Sequence, residues 1–207
     1  MLRRKRKKNF LDENPDVLDA FKKITSGSYK IQETTRDMIF CPNAIKDENV
    51  ELRIGESSTS VRSLLMIWYW LHFMAQRNQI LMIDEPELNL HPNKQRQIAK
   101  LLIQLVNAGI KILITTHSDY LVREINNRIM LNNIPTKDSG KIMKEFKIDD
   151  SELLNIQQVR AFGIDDERKI TSYTVDEYGI DTRIFDKVIN EANILNDKIF
   201  YSLDAEK

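Results

Sequence analysis

Apolar positions along the chain switch between two periods, and the switches mark its elements. After Asn14-Pro15-Asp16, the residues Val17, Leu18, Ala20, Phe21 and Ile24 fall at helical spacing, with proline near the first turn. Three short runs at 28–32, 38–40 and 50–54 are split by polar turns, which predicts a small antiparallel sheet closed by Gly55. From 58 to 77 the helical period returns, with Val61, Leu64, Leu65, Trp68, Leu71 and Ala75 at three- and four-residue steps. Met66, Ile67, Trp70 and Phe73 occupy the remaining faces, so this helix is expected to be buried nearly all round.

Ile80-Leu81-Met82-Ile83 is a continuous apolar run too short for a helix, the pattern of a central parallel strand covered on both faces. A helix follows Pro92, with Ile98, Leu101, Leu102 and Leu105 together; residues 110–114 form a second buried strand after Gly109. A further helix starts near Asp119, with Leu121, Val122, Ile125 and Ile129 on one side. Strand, helix, strand, helix is the order of a parallel α/β sheet. Beyond Pro135 the chain is polar, and Lys137-Asp138-Ser139-Gly140 is expected to form a turn. Residues 157–164 and 169–175 alternate like a hairpin across Asp165-Asp166. A closing amphipathic helix uses Phe185, Val188, Ile189, Ala192 and Ile199. The expected organisation is an amino-terminal helix and small sheet at 1–57, an α/β core at 58–134 and a hairpin-and-helix extension at 135–207.

Composition narrows the class rather than the fold. With 42% hydrophobic side chains in 207 residues, the chain is long enough to bury one sizeable core. Thirty-one basic and 31 acidic residues cancel, so no global charge favours nucleic acid or an acidic substrate. The basic opening, Arg3-Arg4-Lys5-Arg6-Lys7-Lys8, is read as a solvated terminal run. Cys41 is the only cysteine, leaving neither a disulfide framework nor a thiolate metal site. No apolar run is long enough to span a membrane and no secretory pattern opens the chain, so a cytoplasmic location is expected.

Chemistry concentrates at the ends of the two apolar strands. Ile80-Leu81-Met82-Ile83-Asp84-Glu85-Pro86 delivers adjacent carboxylates to the carboxyl edge of a parallel sheet, where ligands of α/β proteins bind. Asp84 can hold Mg2+ while Glu85 orients or deprotonates an attacking water. Ile112-Leu113-Ile114-Thr115-Thr116-His117-Ser118 places a histidine at the end of the neighbouring strand, able to hydrogen-bond a phosphate. Ser118 or Asp119 would cap the helix that follows. A strand ending in two solvated acids, or an ordinary strand-end histidine, is the plainer reading of either segment alone; the combination favours a site.

These segments resemble the ABC ATPase superfamily, in the branch of SMC-like and recombination-repair heads related to the overcoming-lysogenization-defect group. The resemblance makes residues 80–85 the Walker B strand, Asp84 its magnesium-associated aspartate and Glu85 its catalytic glutamate. Pro86-Glu87-Leu88-Asn89-Leu90-His91-Pro92 falls on the D-loop, with His91 where many transporters have aspartate, and His117 on the switch histidine. Ser57-Ser58-Thr59-Ser60 lies where the family's signature loop enters its helix, Ser58 taking the place of the signature serine; both signature glycines are absent, replaced by Thr59 and Ser60. Hydroxyls and amides at a helix amino terminus favour an anion, here the γ-phosphate of ATP on an opposed head. The resemblance implies a partial P-loop NTPase fold of ABC type, ATP and Mg2+ as cofactors, catalytic Glu85 and His117, nucleotide contacts from Ser58, Ser60, Asp84 and His91, and a head-to-head dimer.

No Gly-x-x-x-x-Gly-Lys-Ser/Thr occurs in the sequence. Ser26-Gly27-Ser28-Tyr29-Lys30 is the nearest candidate and reads better as a turn into a strand. Hydrolysis needs an amide cradle and lysine on the phosphates as well as metal and water-orienting groups. The expected partner is therefore an amino-terminal lobe carrying the phosphate loop, or a full-length ATPase, and ATP binding by the isolated chain should be weak or undetectable. The alternative is a non-catalytic assembly or nucleic-acid-binding module that docks on such a partner; a metal-dependent nuclease built on Asp84, Glu85, His91 and His117 ranks third.

Overall fold

The computed structural model describes residues 9–43, 50–164 and 167–204, without the side chains of 183–189, 203 and 204. The basic opening, the Asp165-Asp166 turn and the side chains of Phe185, Val188 and Ile189 lie outside the described residues.

A one-turn helix, α1 (Phe10–Glu13), opens the described chain with a reciprocal capping box between Asn9 and Asp12. Helix α2 (Pro15–Thr25) follows, with Pro15 at the position where its missing N–H costs nothing. It ends at Ser26 in the left-handed region and leads into β1 (Gly27–Ile31), so residues 26–30 are the turn and strand expected. Gly27 is required there: a Cβ would run into the Phe40 ring and sit 2.6 Å from the Cys41 carbonyl oxygen. β1 pairs antiparallel with β2 (Met38–Pro42), and β2 with β3 (Leu52–Arg53).

Helix α3 (Thr59–Phe73) is capped by Ser58, whose hydroxyl accepts from the Val61 amide at 3.4 Å. Strand β4 (Ile80–Asp84), helix α4 (Pro92–Asn107), strand β5 (Lys111–Thr115) and helix α5 (Asp119–Asn133) complete the α/β unit. β4 and β5 are parallel, in a register that sets Met82 beside Leu113 and Asp84 beside Thr115. One core joins these elements to the amino-terminal segment: Phe21, Tyr29 and Phe40 pack with Leu64, Trp68 and Leu71 of α3 and with Ile98, Leu101 and Leu105 of α4. Inside it, the Tyr29 hydroxyl donates to the Val61 carbonyl at 2.5 Å, and burial pushes the phenol's pKa up.

Two burial expectations are corrected. β4 and β5 are covered on one face only: Leu81, Ile83, Ile112 and Ile114 turn to the core, while Ile80, Met82 and Leu113 are 64%, 69% and 54% exposed. α3 likewise leaves Met66, Tyr69 and Phe73 in solvent. The parallel sheet has two strands among the described residues, and no described element packs over their outward side.

Past Pro135 the expected turn is instead helix α6 (Thr136–Phe146). Pro135 sits just outside its first turn, Asp138 and Lys141 pair across one turn at 3.8 Å, and Gly140 is tolerated inside. β6 (Ala161–Ile164) and β7 (Ile170–Tyr173) form the expected hairpin, and β8 (Val175–Asp176) pairs with β9 (Gly179–Ile180) in a second, shorter one. Asn126 of α5 anchors the latter, accepting from the Ile180 amide at 2.7 Å and donating to its carbonyl at 2.9 Å. A second small core of Ile103, Ile129 and Leu154 ties this extension to α4 and α5. The closing helix α7 (Arg183–Asp204) is formed, and its described side chains from Asn190 to Ser202 are all exposed. Among the described residues no helix is long and apolar enough to cross a membrane.

Candidate active site

The parallel register decides what meets at the carboxyl edge. Asp84 ends β4 directly beside Thr115, the last residue of β5, and the Thr115 hydroxyl donates a short hydrogen bond to Asp84 Oδ1. The chain then turns sharply at Glu85, which adopts φ 45°, a left-handed conformation disfavoured for a residue with a side chain. Its amide is held by the Thr115 carbonyl at 3.1 Å and the Thr115 hydroxyl at 3.2 Å. Such backbone strain persists where surrounding bonds over-determine it, and it concentrates at functional sites.

Held this way, Glu85 brings Oε1 to 3.8 Å from His117 Nε2. The two acids and the histidine therefore stand together on adjoining strand tips. The histidine side chain is 89% exposed and that of Glu85 36%, so the cluster faces solvent rather than a closed cavity. Pro86 to Asn89 form a tight turn, closed by bonds from the Leu88 amide to the Glu85 carbonyl at 2.9 Å and from the Leu90 amide to the Glu87 carbonyl at 3.0 Å.

The other nominated residues lie elsewhere in the arrangement. His91 accepts from the Asn93 amide at 3.3 Å through Nδ1 and so caps α4. Ser58 caps α3 and shares a 3.0 Å hydroxyl contact with Ser60. Among the described residues no hydrogen bond or ion pair joins Ser58, Ser60 or His91 to Asp84, Glu85 or His117. A weaker link runs from the turn to α3, where Asn89 Nδ2 donates to Ser63 Oγ at 3.4 Å. Of the two capping candidates for α5, Ser118 is the one used, accepting from the Leu121 amide at 3.1 Å.

Residues 3–122, more than half of the chain, match the AAA ATPase domain family. The chain belongs to that family. This agrees with the ABC-type, SMC-like ATPase head to which the sequence is similar, and nucleotide use is the family's common property. A second likeness is to the energy-coupling factor transporter ATP-binding protein EcfA of Methanococcus maripaludis, 39% identical over 71 residues. That stretch is 34% of this chain and 24% of the transporter protein, so the AAA ATPase domain chain matches about a quarter of that relative's length. A solved structure from work on ATP-driven dimerization and DNA-stimulated activation of SMC ATPases aligns with a TM-score of 0.47 and 12% identity, covering 86% of this chain and 94% of its own.

Three side chains around the site escaped the sequence reading: Thr115, which holds both acids, and Glu87 and Gln95, which hold the histidine loop. Only the Thr115-Thr116 pair ahead of His117 gave a local signal, since two hydroxyls at a strand end are apt to bond neighbouring backbone or carboxylates.

Proposed function

We propose that this chain supplies the hydrolytic half of an ATPase site: Glu85 orients and deprotonates the attacking water, and His117 hydrogen-bonds the terminal phosphate. The supporting observation is the gathering of Asp84, Glu85 and His117 on two adjoining parallel strand tips, with Glu85 and His117 3.8 Å apart. A water between Glu85 and a phosphate held near His117 would meet a base on one side and a donor on the other.

The fit of a metal rests on Asp84. Its carboxylate oxygens are hard donors at an exposed sheet edge, suited to Mg2+, and Thr115 orients one of them. Among the described residues no three metal-ligating side chains converge, so the remaining oxygen donors would be phosphates and water. Bound there, the ion supplies charge neutralisation on the phosphates.

The phosphate cradle comes from a second lobe or subunit carrying the loop that this sequence lacks. Ser58 and Ser60, at the start of α3 and apart from Glu85, are assigned to the nucleotide of an opposed head in a dimer. The test is to add a phosphate-loop lobe, in trans or as a fusion, and compare ATP turnover of wild type and Glu85→Gln. A hundredfold or greater loss, on the order expected for removing a positioned base, supports the assignment. Equal rates would defeat it and leave the chain as a docking module.

A further inference from the structure

The turn after β4 does more than connect it to α4. Glu87 is 6% exposed, while the next residue, Leu88, is 54% exposed, so the turn dips its carboxylate inward. Glu87 Oε1 accepts two hydrogen bonds from the loop after β5: from the Thr116 hydroxyl at 2.6 Å and from the His117 amide at 3.1 Å. Thr116 Oγ1 in turn accepts from the Ser118 amide at 3.0 Å. A second strut runs alongside. The Ser118 hydroxyl donates to Gln95 Oε1 at 2.6 Å, and Gln95 Nε2 donates to the Leu90 carbonyl at 2.9 Å.

A buried carboxylate is costly unless its bonds compensate it. Among the described residues Glu87 has no ion-pair partner, and its Oε2 is buried without a hydrogen bond. Its hydrogen bonding is therefore directed at the loop that carries His117. Packing alone would be served more cheaply by an apolar side chain at this position.

We infer that Glu87 is a positioning residue: it clamps the Thr116–Ser118 loop to the turn two residues beyond Glu85, and so fixes the Glu85–His117 geometry. The inference deepens the ATPase reading, on which its catalytic meaning rests. The clamp itself is a property of the chain alone. Because the same short turn carries Glu85 and the clamp, a displacement of the turn moves the base and the histidine together.

The experiment is solvent-exchange NMR on the intact chain, comparing wild type, Glu87→Ala and Glu87→Gln. The loss of one hydrogen bond, about 1.4 kcal/mol or tenfold, sets the expectation. The His117 amide should exchange about tenfold faster in Glu87→Ala, with α4 amides unchanged, and should return to near the wild-type rate in Glu87→Gln, which keeps an acceptor oxygen. A role confined to packing would not move the second readout, the His117 ring signals, easily assigned among three histidines. Glu85→Gln should shift these signals in wild type and leave them still in the Glu87→Ala background. Should Glu87→Ala fail to fold, Thr116→Val removes the shorter bond and should accelerate the same amide by a smaller factor. An unchanged His117 exchange rate in whichever of these variants folds, or no rescue by glutamine, overturns the clamp. Absence of turnover in the reconstituted wild type would instead strike the ATPase reading and leave the clamp result standing.

Discussion

Two clusters of ionisable side chains lie around α5, and their surroundings could hardly differ more. At one end of α5, Glu85 and His117 face each other at 3.8 Å in solvent. Along its length, Glu124 is 1% exposed and surrounded by cations. Arg96 Nε lies at 2.7 Å, Arg128 Nη2 at 2.6 Å and Lys100 Nζ at 3.9 Å, with Glu152 completing the group at 3.0 Å from Arg128. The buried set gathers three cations around two buried carboxylates and joins α4, α5 and the carboxyl-terminal extension, so it braces the fold. The open set leaves both members accessible to a third party from solvent. Desolvation makes a charge cluster structural, and water access makes it available for chemistry.

Breaking the buried set should produce the largest change. Glu124→Ala leaves Arg96 and Arg128 short of their counter-charge and is expected to cost roughly 3–5 kcal/mol in urea denaturation. Next comes the buried phenol of Tyr29, whose pKa is raised by burial above its ordinary value of 10.0. The unfolded chain loses this proton first, so stability is fully present below pH 10.0 and falls as pH rises towards the folded-state value. The fall approaches about 1.4 kcal/mol per pH unit from this group. Tyr29→Phe should flatten that alkaline limb in thermal melts recorded across it. On the open side the signs change. Glu85→Gly relieves the left-handed conformation and should raise stability by about 0.5–1 kcal/mol, offset in part by glycine's greater unfolded-state freedom. Smallest of all, His117→Ala should stay within about 0.5 kcal/mol of wild type by the same denaturation curve. A large loss there would mean the exposed pair is structural after all.

The acids, the histidine and their strands were legible because each is encoded locally: a short apolar run, then the charged residues, then a helix start. Parallel pairing followed from the alternation of strands and helices. Burial was less legible. Ile80-Leu81-Met82-Ile83 has the composition of a strand covered twice, and composition does not say whether the second cover belongs to the same described elements. Residues 137–140 read as a turn because Lys, Asp, Ser and Gly favour turns one at a time, whereas Ile142, Met143 and Phe146 supply a helical stripe only when the window is widened. Glu87 and Gln95 were invisible for another reason. Their partners lie 29 and 23 residues away, and nothing in a single sequence pairs positions at that distance.

The uncovered side of the β4–β5 pair also bears on how a purified sample behaves. Met82 and Leu113 lie side by side on an apolar strip, and among the described residues neither outer edge of the two-stranded sheet has a strand partner. Such a strip is a template for adding further strands, whether from a rightful companion or from another molecule of the same kind. Self-association should accordingly rise with concentration.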